Sequence, residues 1–308
     1  MSSPFHPGEQ AIQTRLGVRE QVEAMGSRMI RNHMPEQHRQ FFSQLPWLLV
    51  GSLDSDGQPV ASVLWGKPGF VHSPEPSLLR INARPEMDDP LRANLHDAAR
   101  LGLLGLELPT RRRNRMNGPL MEDDTDGFTV AVQQSFGNCP RYIQARDWRW
   151  DSRPAGALEQ GSGLDPRWLA LVQRSDTLFI ASQHLDPHTG GVDISHRGGA
   201  PGFVQLGADG RLWLPDYNGN QLFNTLGNLL LEPRCGLLWV DFDSGDLLQL
   251  EARAEILWPG KAGQQPHPDL PGAERLVALT PGRWRLRRRR LPLGFGAAQP
   301  SPFLPQGH

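Results

Sequence analysis

A segment of this 308-residue chain occurs twice. Residues 60–71, VASVLWGKPGFV, and residues 193–204, DISHRGGAPGFV, share Ser, Gly, Pro, Gly, Phe and Val at a constant offset of 133. The same offset pairs Leu104 with Leu237, so the apolar pattern continues beyond the shared motif. The chain is therefore predicted to be an internal duplication that contains two copies of one domain.

The two copies differ in their polar residues. Where the second copy has Asp193, His196 and Arg197, the first copy has only apolar side chains. Residues 215–228 of the second copy are rich in Asn, and residues 82–95 of the first copy share almost none of that pattern. We therefore predict that the first copy is a scaffold and that the second copy carries a functional site.

Charge and cysteine content limit the classes of function. The formal net charge is -1, which gives no overall attraction to nucleic acid or to an anionic membrane. Two cysteines, Cys139 and Cys235, are too few for a disulfide framework. The N-terminus lacks a basic start followed by an apolar run, as a secretory signal would have. We expect a cytoplasmic protein that binds neither nucleic acid nor membrane.

Period-two alternation and turn residues predict a mainly β protein with short helices. Strands are expected over 47–53 and 59–65. A strand over 111–116 is expected to end at the Asn117-Gly118 turn, and a single strand is expected over 128–136. Many short strands separated by turns predict two small barrels in tandem.

Shifts in composition give the predicted domain boundaries. A polar arm precedes the first copy, a segment rich in Gly, Pro and charge separates the copies, and a tail rich in Pro and Gly is expected to be mobile. The predicted units are an N-terminal arm over 1–39, a first barrel over 40–148, a connector over 149–174, a second barrel over 175–291 and a tail over 292–308.

Residues 193–199, Asp-Ile-Ser-His-Arg-Gly-Gly, form the first candidate site. Side chains alternate along a strand, so Asp193, Ser195 and Arg197 share one face while His196 points to the other. Arginine offers a planar fork to a phosphate, serine adds a hydroxyl donor, and the two glycines allow close approach of a ligand. This face is predicted to hold a phosphate. The alternative is a surface strand with a solvated arginine and a glycine bend.

The Asn-rich segment that follows is the second candidate. Its side chains supply donors and acceptors together, which suits a planar heterocycle or the hydroxyls of a ribityl chain. The alternative is that they are helix caps and turn residues, for which Asn is favoured. The side chains concerned are Asn218, Asn220, Asn224, Thr225 and Asn228.

Two arginine-rich runs, 111–115 and 283–290, allow two interpretations. They could form an anion-binding surface for nucleic acid or for a negatively charged electron-transfer partner. They could instead be solvated barrel edges, where charge prevents edge-to-edge pairing.

Several motifs together resemble the flavin-nucleotide-binding split-barrel proteins related to pyridoxamine 5'-phosphate oxidase. In the second copy these motifs are SHRGG at 195–199, PGFV at 201–204, PDYNGN at 215–220 and NTLGN at 224–228. At the end of the first copy, GNCPRYIQ at 137–144 resembles a signature of the tandem members of this group. The resemblance runs from roughly residue 40 to residue 258 and implies six-stranded antiparallel split barrels that pair around FMN.

In this chain the resemblance implies that the two copies form an intrachain pseudo-dimer. Ser195 and Arg197 would hold the FMN phosphate, with Asn-rich residues near the phosphate or the ribityl chain. The full set of expected cofactor-binding residues is Ser195, Arg197, Gly198, Gly199, Asn220, Asn224 and Thr225, with Asn138 and Arg141 reaching across from the first copy.

The resemblance implies an FMN-dependent oxidoreductase acting on a small molecule. A flavin carries hydride and electron transfer itself, so the sequence identifies no catalytic side chain. Two alternatives are a flavin-binding module without turnover and a heme-binding split-barrel protein, which requires an exposed axial histidine. No Cys/His cluster has zinc spacing, so no metal site is expected. An electron-donor protein and a second copy of the chain are the candidate partners.

Overall fold

The computed structural model of the chain describes residues 3–184, 191–259 and 270–305. Its helices are α1 (Pro7–Arg15), α2 (Arg19–Met29), α3 (Glu36–Ser43), α4 (Leu91–Asn94), α5 (Pro166–Arg174) and α6 (Asn224–Leu231). The predicted polar arm therefore contains two helices. Among the described residues, no helix has the length and apolar character needed to cross a membrane.

The first copy forms an antiparallel sheet of eight strands. The strands are β1 (Trp47–Leu53), β2 (Pro59–Trp65), β3 (Val71–His72), β4 (Leu78–Ile81), β5 (Arg100–Glu107), β6 (Arg112–Asp123), β7 (Phe128–Ala131) and β8 (Gln134–Gly137). The sheet order is β2-β1-β5-β6-β7-β4-β3, and β8 pairs with β6.

The second copy repeats this topology. Its region contains β9 (Trp148–Trp150), β10 (Leu158–Ser162), β11 (Thr177–His184), β12 (Gly191–Gly198), β13 (Gln205–Leu206), β14 (Leu212–Tyr217), β15 (Arg234–Val240), β16 (Leu247–Leu257), β17 (Ala273–Arg287) and β18 (Leu293–Phe295). The second sheet has the order β12-β11-β15-β16-β17-β14-β13, and β10 pairs with β17. The predicted fold class, mainly β with two tandem split barrels, is confirmed.

The structural equivalence of the copies shifts by one residue downstream of β14. Leu104 lies opposite Leu49 in the first sheet, and Leu238 lies opposite Phe179 in the second. Leu104 therefore corresponds to Leu238, and the pairing with Leu237 expected from the sequence is wrong. The second copy has one additional residue before β15, which changes the offset there from 133 to 134.

With this offset, Asn228 corresponds to Asn94. Asn94 Nδ2 donates to Ser52 Oγ at 2.9 Å, and Asn228 Nδ2 donates to Ser182 Oγ at 3.0 Å. Each bond ties the helix of its copy to the first strand of the same sheet. Because this contact occurs in both copies, it is part of the shared framework.

Glycines bring the two copies into close contact. A Cβ atom at Gly102 of β5 would lie within 3.0 Å of Val192 O on β12, and one at Gly236 of β15 would lie equally close to Pro59 O on β2. An apolar core continues this interface. Its residues include Trp47, Leu49, Val63, Leu104, Phe179, Ile194, Leu238 and Val240. The copies thus pack against each other as a pseudo-dimer.

Two strand predictions in the first copy are wrong. β6 continues through Asn117-Gly118, because Asn117 pairs with Gln134 on one side and Gly118 with Leu101 on the other. The strand expected over 128–136 is divided into β7 and β8, which pair with different halves of β6. A β-bulge between Leu120 and Glu122 lies within the half of β6 that pairs with β7.

The segment after 292, which we expected to be mobile, makes ordered contacts as far as residue 305. β18 pairs with β9, and the backbone N–H of Ser301 donates to Gln144 Oε1 at 2.7 Å. The composition rich in Pro and Gly here accompanies packed turns. Residues 306–308 lie outside the described residues, and the domain boundaries remain predictions.

Candidate functional site

A cleft lies between the two copies, where β6 faces β12 and the N-terminal end of α6. All of the predicted cofactor-binding residues except Gly199 line this cleft. They are Asn138, Arg141, Ser195, Arg197, Gly198, Asn220, Asn224 and Thr225. The structure therefore brings together residues that are far apart in the sequence, and their role in binding remains a prediction.

Gly199 lies just outside the cleft. A Cβ atom there would lie within 3.0 Å of the Phe203 side chain. Its carbonyl accepts a hydrogen bond from Gln144 Nε2 at 2.9 Å. The absence of a side chain at Gly199 thus serves the packing of the turn, as its presence in both copies of the motif indicates.

Ser195 is the centre of a hydrogen-bonded group that joins the copies. Arg115 of β6 donates from Nη2 to Ser195 Oγ and to Ile194 O, and Thr225 Oγ1 donates to Ser195 Oγ at 2.9 Å. Arg115 is 3% exposed, and its Nε has no hydrogen-bond partner among the described residues. An unsatisfied buried guanidinium N–H is costly, so an acceptor supplied by a ligand would be favoured here.

Arg113 lies two residues before Arg115 on the same face of β6. It donates from Nε to Cys139 O at 2.7 Å and from Nη1 to His196 O at 3.1 Å. Burial and the charge of Arg197 lower the pKa of Arg113 to about 9, so the side chain stays protonated at neutral pH. A bound anion would relieve this repulsion.

His196 occupies the face of β12 opposite to Ser195, as the alternation predicted. Its ring packs against Phe179 with 5.8 Å between centroids, and its Nδ1 lies 3.3 Å from Arg113 Nη1. Burial and the charge of Arg113 hold the pKa of His196 well below its usual value. The imidazole is therefore neutral at neutral pH, and it is 3% exposed.

Arg197 reaches the cleft with part of its side chain exposed. Its Nη1 lies 3.7 Å from Asp216 Oδ1. Asp216 also accepts two hydrogen bonds from Arg275, at 2.9 and 2.7 Å, so one carboxylate is shared by two guanidinium groups. Arg115 Nη1 lies 3.6 Å from Asp193 Oδ1, whereas Arg113 has no carboxylate partner among the described residues. These three cleft arginines therefore share two carboxylates, one of which Arg275 also binds, and this excess positive charge favours an anionic ligand.

Three residues other than glycine have positive φ angles and line the cleft. They are Tyr142 at 65°, Gln221 at 60° and Phe223 at 62°. Such backbone strain is uncommon and tends to cluster at functional sites. Tyr142 also packs against Tyr217 with 5.1 Å between ring centroids, which gives the cleft an aromatic wall.

The asparagines in and next to the cleft differ in whether their side chains have partners within the chain. Asn138 Nδ2, from the first copy, is buried without a hydrogen-bond partner among the described residues. Asn220 Oδ1 accepts from Leu222 N at 3.2 Å, as a turn residue does. Asn218 Oδ1 accepts from Arg141 Nη1 at 2.6 Å. Asn138 thus remains free to bind a ligand, whereas Asn218 and Asn220 have partners within the chain.

The N-terminal arm holds Asn224 in place, which the sequence did not indicate. Asn224 Nδ2 donates to Glu9 Oε1, and Glu9 Oε2 accepts from His6 N at 2.8 Å. Helices α1 and α6 approach so closely that a Cβ atom at Gly8 would lie within 3.0 Å of Gly227 O. Burial raises the pKa of Glu9 to about 8.

Arg113 and Arg115 are two cleft residues that were not predicted from the sequence. They belong to the first arginine-rich run, which was interpreted as a surface. The two arginines are two residues apart, which predicts that both side chains lie on one face of a strand. In the second copy, Leu247 and Gln249 occupy the corresponding positions at the offset of 134. The charged face is therefore specific to the first copy.

No family model matches the chain, and no curated protein matches it. Among solved structures, the chain is similar to a candidate pyridoxamine 5'-phosphate oxidase from Lactobacillus delbrueckii, with 17% identity over 34% of this chain and 95% of that chain and a TM-score of 0.28. It is also similar to a conserved hypothetical protein from Mycobacterium tuberculosis, with 19% identity over 42% of this chain and 88% of that chain and a TM-score of 0.29. A third match is HutZ, the heme storage protein from Vibrio cholerae, with 12% identity over 46% of this chain and 99% of that chain and a TM-score of 0.24. At such identities the likeness concerns the fold alone.

Among the described residues, no group of three or more His, Cys, Asp or Glu side chains is arranged to hold a metal ion. The cleft instead presents guanidinium groups, hydroxyls and an aromatic wall. This set of groups can bind an anion attached to a planar body.

Proposed function

We propose that the chain binds FMN in this cleft and acts as an FMN-dependent oxidoreductase. One observation carries the proposal: Arg113, Arg115 and Arg197 converge near Ser195, and Arg115 retains a buried N–H without a partner. A phosphate monoester carries about two negative charges and several acceptor oxygens at neutral pH, which suits this group of donors. The motif resemblance to the flavin-nucleotide-binding split barrels gives independent support.

In this proposal each copy contributes to the cofactor site. Ser195 and Arg197 of the second copy and Arg115 of the first hold the phosphate. Asn138 supplies a further donor from the first copy. The aromatic wall that includes Tyr142 offers a surface for a planar ring system. These groups bind and orient the cofactor.

Bound FMN supplies hydride and electron transfer. The protein groups that line the cleft contribute charge and orientation. Among the described residues, His196 is the only histidine that lines the cleft, and it is neutral and buried at neutral pH. The proposal therefore assigns no proton transfer to His196.

The first experiment tests the cofactor. The protein is purified natively, its visible absorption spectrum is recorded, and the released ligand is identified by mass spectrometry. We expect the two visible bands of oxidised flavin, and we expect Arg197→Ala to lose them. Arg253→Ala is the matched control, because Arg253 is exposed on β16 and does not line the cleft. A colourless protein that does not bind added FMN would contradict the proposal.

The second experiment separates an enzyme from a binding module. The flavin is reduced anaerobically with NADH, NADPH or a reduced electron-transfer protein, and reoxidation by acceptors is followed. Turnover supports the oxidoreductase, whereas stable binding without reduction by any donor identifies a binding module. Hemin is added in parallel to the protein without flavin. A strong heme absorption band that depends on His196 would replace the flavin proposal with heme binding.

A further inference from the structure

A second cavity shares no lining residue with the cofactor cleft. It lies between β2 and α4 of the first copy and the strands β10, β16 and β17. Its lining residues include Pro59, Val60, Pro90, Ala93, Gln249 and Arg285.

This cavity occupies the place that α1 fills in the second copy. Asn224 and Gly227 of α6 contact α1. Their counterparts at the offset of 134 are Pro90 and Ala93, and both line the cavity. No helix of the described chain covers these residues as α1 covers α6, so the space next to α4 stays open. The surface of α6 is thus covered by α1, whereas the equivalent surface of α4 is uncovered.

Three arginines of β17 share the face that looks toward this region, because side chains alternate along the strand. Arg283 Nε donates to Glu251 at 2.9 Å, and Arg287 Nη1 donates to Asp89 at 2.9 Å. Arg285, between them, forms no ion pair with any described residue. Arg285 is only partly exposed and lines the cavity. Among the described residues, it is therefore the guanidinium of this face without a carboxylate partner, whereas Asp54 and Glu251, the carboxylates that line the cavity, both pair with Arg283.

The cavity also contains an unsatisfied acceptor. Gln249 is 6% exposed, and its Nε2 donates to Ser62 Oγ at 3.0 Å and to Ala61 O at 3.0 Å. Its Oε1 is buried without a hydrogen-bond partner among the described residues. Gln249 corresponds to Arg115 of the cofactor cleft, so both copies place an incompletely bonded side chain at this position.

We propose that this cavity binds a small organic carboxylate with an apolar body. The carboxylate pairs with the Arg285 guanidinium, for which a bidentate ion pair is the favoured geometry. The apolar body lies against Pro59, Val60 and Ala93, which form a nonpolar wall. A donor on the ligand, or a water that the ligand traps, satisfies Gln249 Oε1.

The test uses 2-naphthoate and its neutral counterpart 2-naphthamide, each titrated into the full-length protein by calorimetry. We expect 2-naphthoate to bind with one site per chain and 2-naphthamide to bind about tenfold or more weakly, because a charge-assisted hydrogen bond is lost. Arg285→Gln removes the difference between the two compounds. Ala93→Trp, at an exposed position of α4, fills the cavity and abolishes binding of both.

Two controls make the result specific. Arg253→Gln lies on β16 outside the cavity and leaves binding unchanged. Arg197→Gln, in the cofactor cleft, also leaves 2-naphthoate binding unchanged, which separates this site from the cleft. No binding by the unmodified protein, or binding that survives both Arg285→Gln and Ala93→Trp, would overturn the proposal. Far-UV circular dichroism verifies that each variant is folded.

Discussion

Arg287 donates from Nη1 to Asp89 Oδ2 at 2.9 Å, and both residues are buried. The same guanidinium also donates from Nη2 to Glu86 and Asp88, at 2.7 Å in each case. Three carboxylates from the first copy thus surround one arginine of the second. A buried cation requires such partners, because its desolvation is otherwise costly.

The position of Arg287 explains why the Arg113 side of the cofactor cleft has no equivalent in the other half of the duplication. Arg287 of β17 pairs with Leu247 of β16. In the first sheet, Asn138 is the residue next to Arg113 of β6, and its backbone N–H donates to Arg113 O. Leu247 and Arg113 are equivalent in the two sheets, so Arg287 takes the place of Asn138. Where Arg113 and Arg115 of the first copy and Arg197 of the second present cations to a ligand, the equivalent space is filled by Arg287 and its carboxylate partners.

Arg287→Met is expected to lower the free energy of unfolding by about 3–5 kcal/mol, because it leaves the buried Asp89 carboxylate without a cation, whereas Glu86 and Asp88 keep Arg290. Urea denaturation followed by tryptophan fluorescence measures this. Arg283→Met is the matched control, since Arg283 is on the same strand but its side chain is 64% exposed. Arg283→Met is expected to lower the free energy of unfolding by about 0–1 kcal/mol. Equal losses in both variants would show that Arg287 has no special role.

Local pattern was enough to predict much of the fold. The predicted strands at 47–53 and 59–65 match β1 and β2. α5 follows from local chemistry: Asp165 accepts from Arg167 N at the N-terminus, and proline occupies the first turn. Such signals are carried within a few residues, so they can be identified without tertiary information.

β17 was not predicted, because Pro281 and Gly282 interrupt its pattern. In the structure the strand continues through them next to a β-bulge opposite Leu250 and Ala252. Pairing with β16 on one side and with β10 and β14 on the other compensates for the interruption. This compensation depends on tertiary contacts, which a local pattern does not contain.

The candidate site was predicted in part for the same reason. Ser195 and Thr225 belong to motifs of the second copy, and both line the cleft. Arg115 bonds to Ser195 only because β6 packs across the interface between the copies. The duplication predicted that the copies exist, but it did not predict which strands face each other.

Gly227→Ala is expected to displace α1. A Cβ atom at Gly227 would lie 2.6 Å from Glu9 N, which is backbone and cannot rotate away. We expect a loss of about 1–3 kcal/mol in unfolding free energy and faster tryptic cleavage at Arg15 and Arg19. Gly296→Ala is the control, because the nearest atoms to its Cβ would lie 3.8 Å away. Unchanged cleavage in Gly227→Ala would indicate that α1 can shift without detaching.

Glu9 is expected to make stability depend on pH. Its pKa is about 8 in the folded chain against an ordinary value of 4.5, so the unfolded chain loses this proton first as pH rises. The contribution of protonated Glu9 to the free energy of unfolding is fully present below pH 4.5 and is lost as pH approaches 8, at about 1.4 kcal/mol per pKa unit. Glu9→Gln removes this titration. Between pH 5 and pH 8 the unmodified chain should therefore lose stability while the variant does not, so the unfolding free energy of the variant should rise relative to that of the unmodified chain.

Urea denaturation at several pH values tests this prediction. The lost hydrogen bond of Glu9→Gln shifts its stability equally at every pH, so the readout is the slope against pH. Glu20→Gln serves as the control, because Glu20 is exposed on α2. A constant difference between Glu9→Gln and the unmodified chain from pH 5 to pH 8 would mean that Glu9 is ionised in the folded protein.

Arg115→Gln is expected to weaken FMN binding about tenfold or more, because the charge-assisted hydrogen bond that we propose between Arg115 and the phosphate would be replaced by a neutral one. The substitution gives the first copy the residue that the second copy has at Gln249. The reciprocal change, Gln249→Arg, is expected to add no second flavin, since Arg287 fills the equivalent space. Calorimetric titration with FMN measures both affinity and stoichiometry, with one site per chain expected. A stoichiometry of two FMN per chain in Gln249→Arg would show that the ion-pair cluster around Arg287 does not exclude a second flavin.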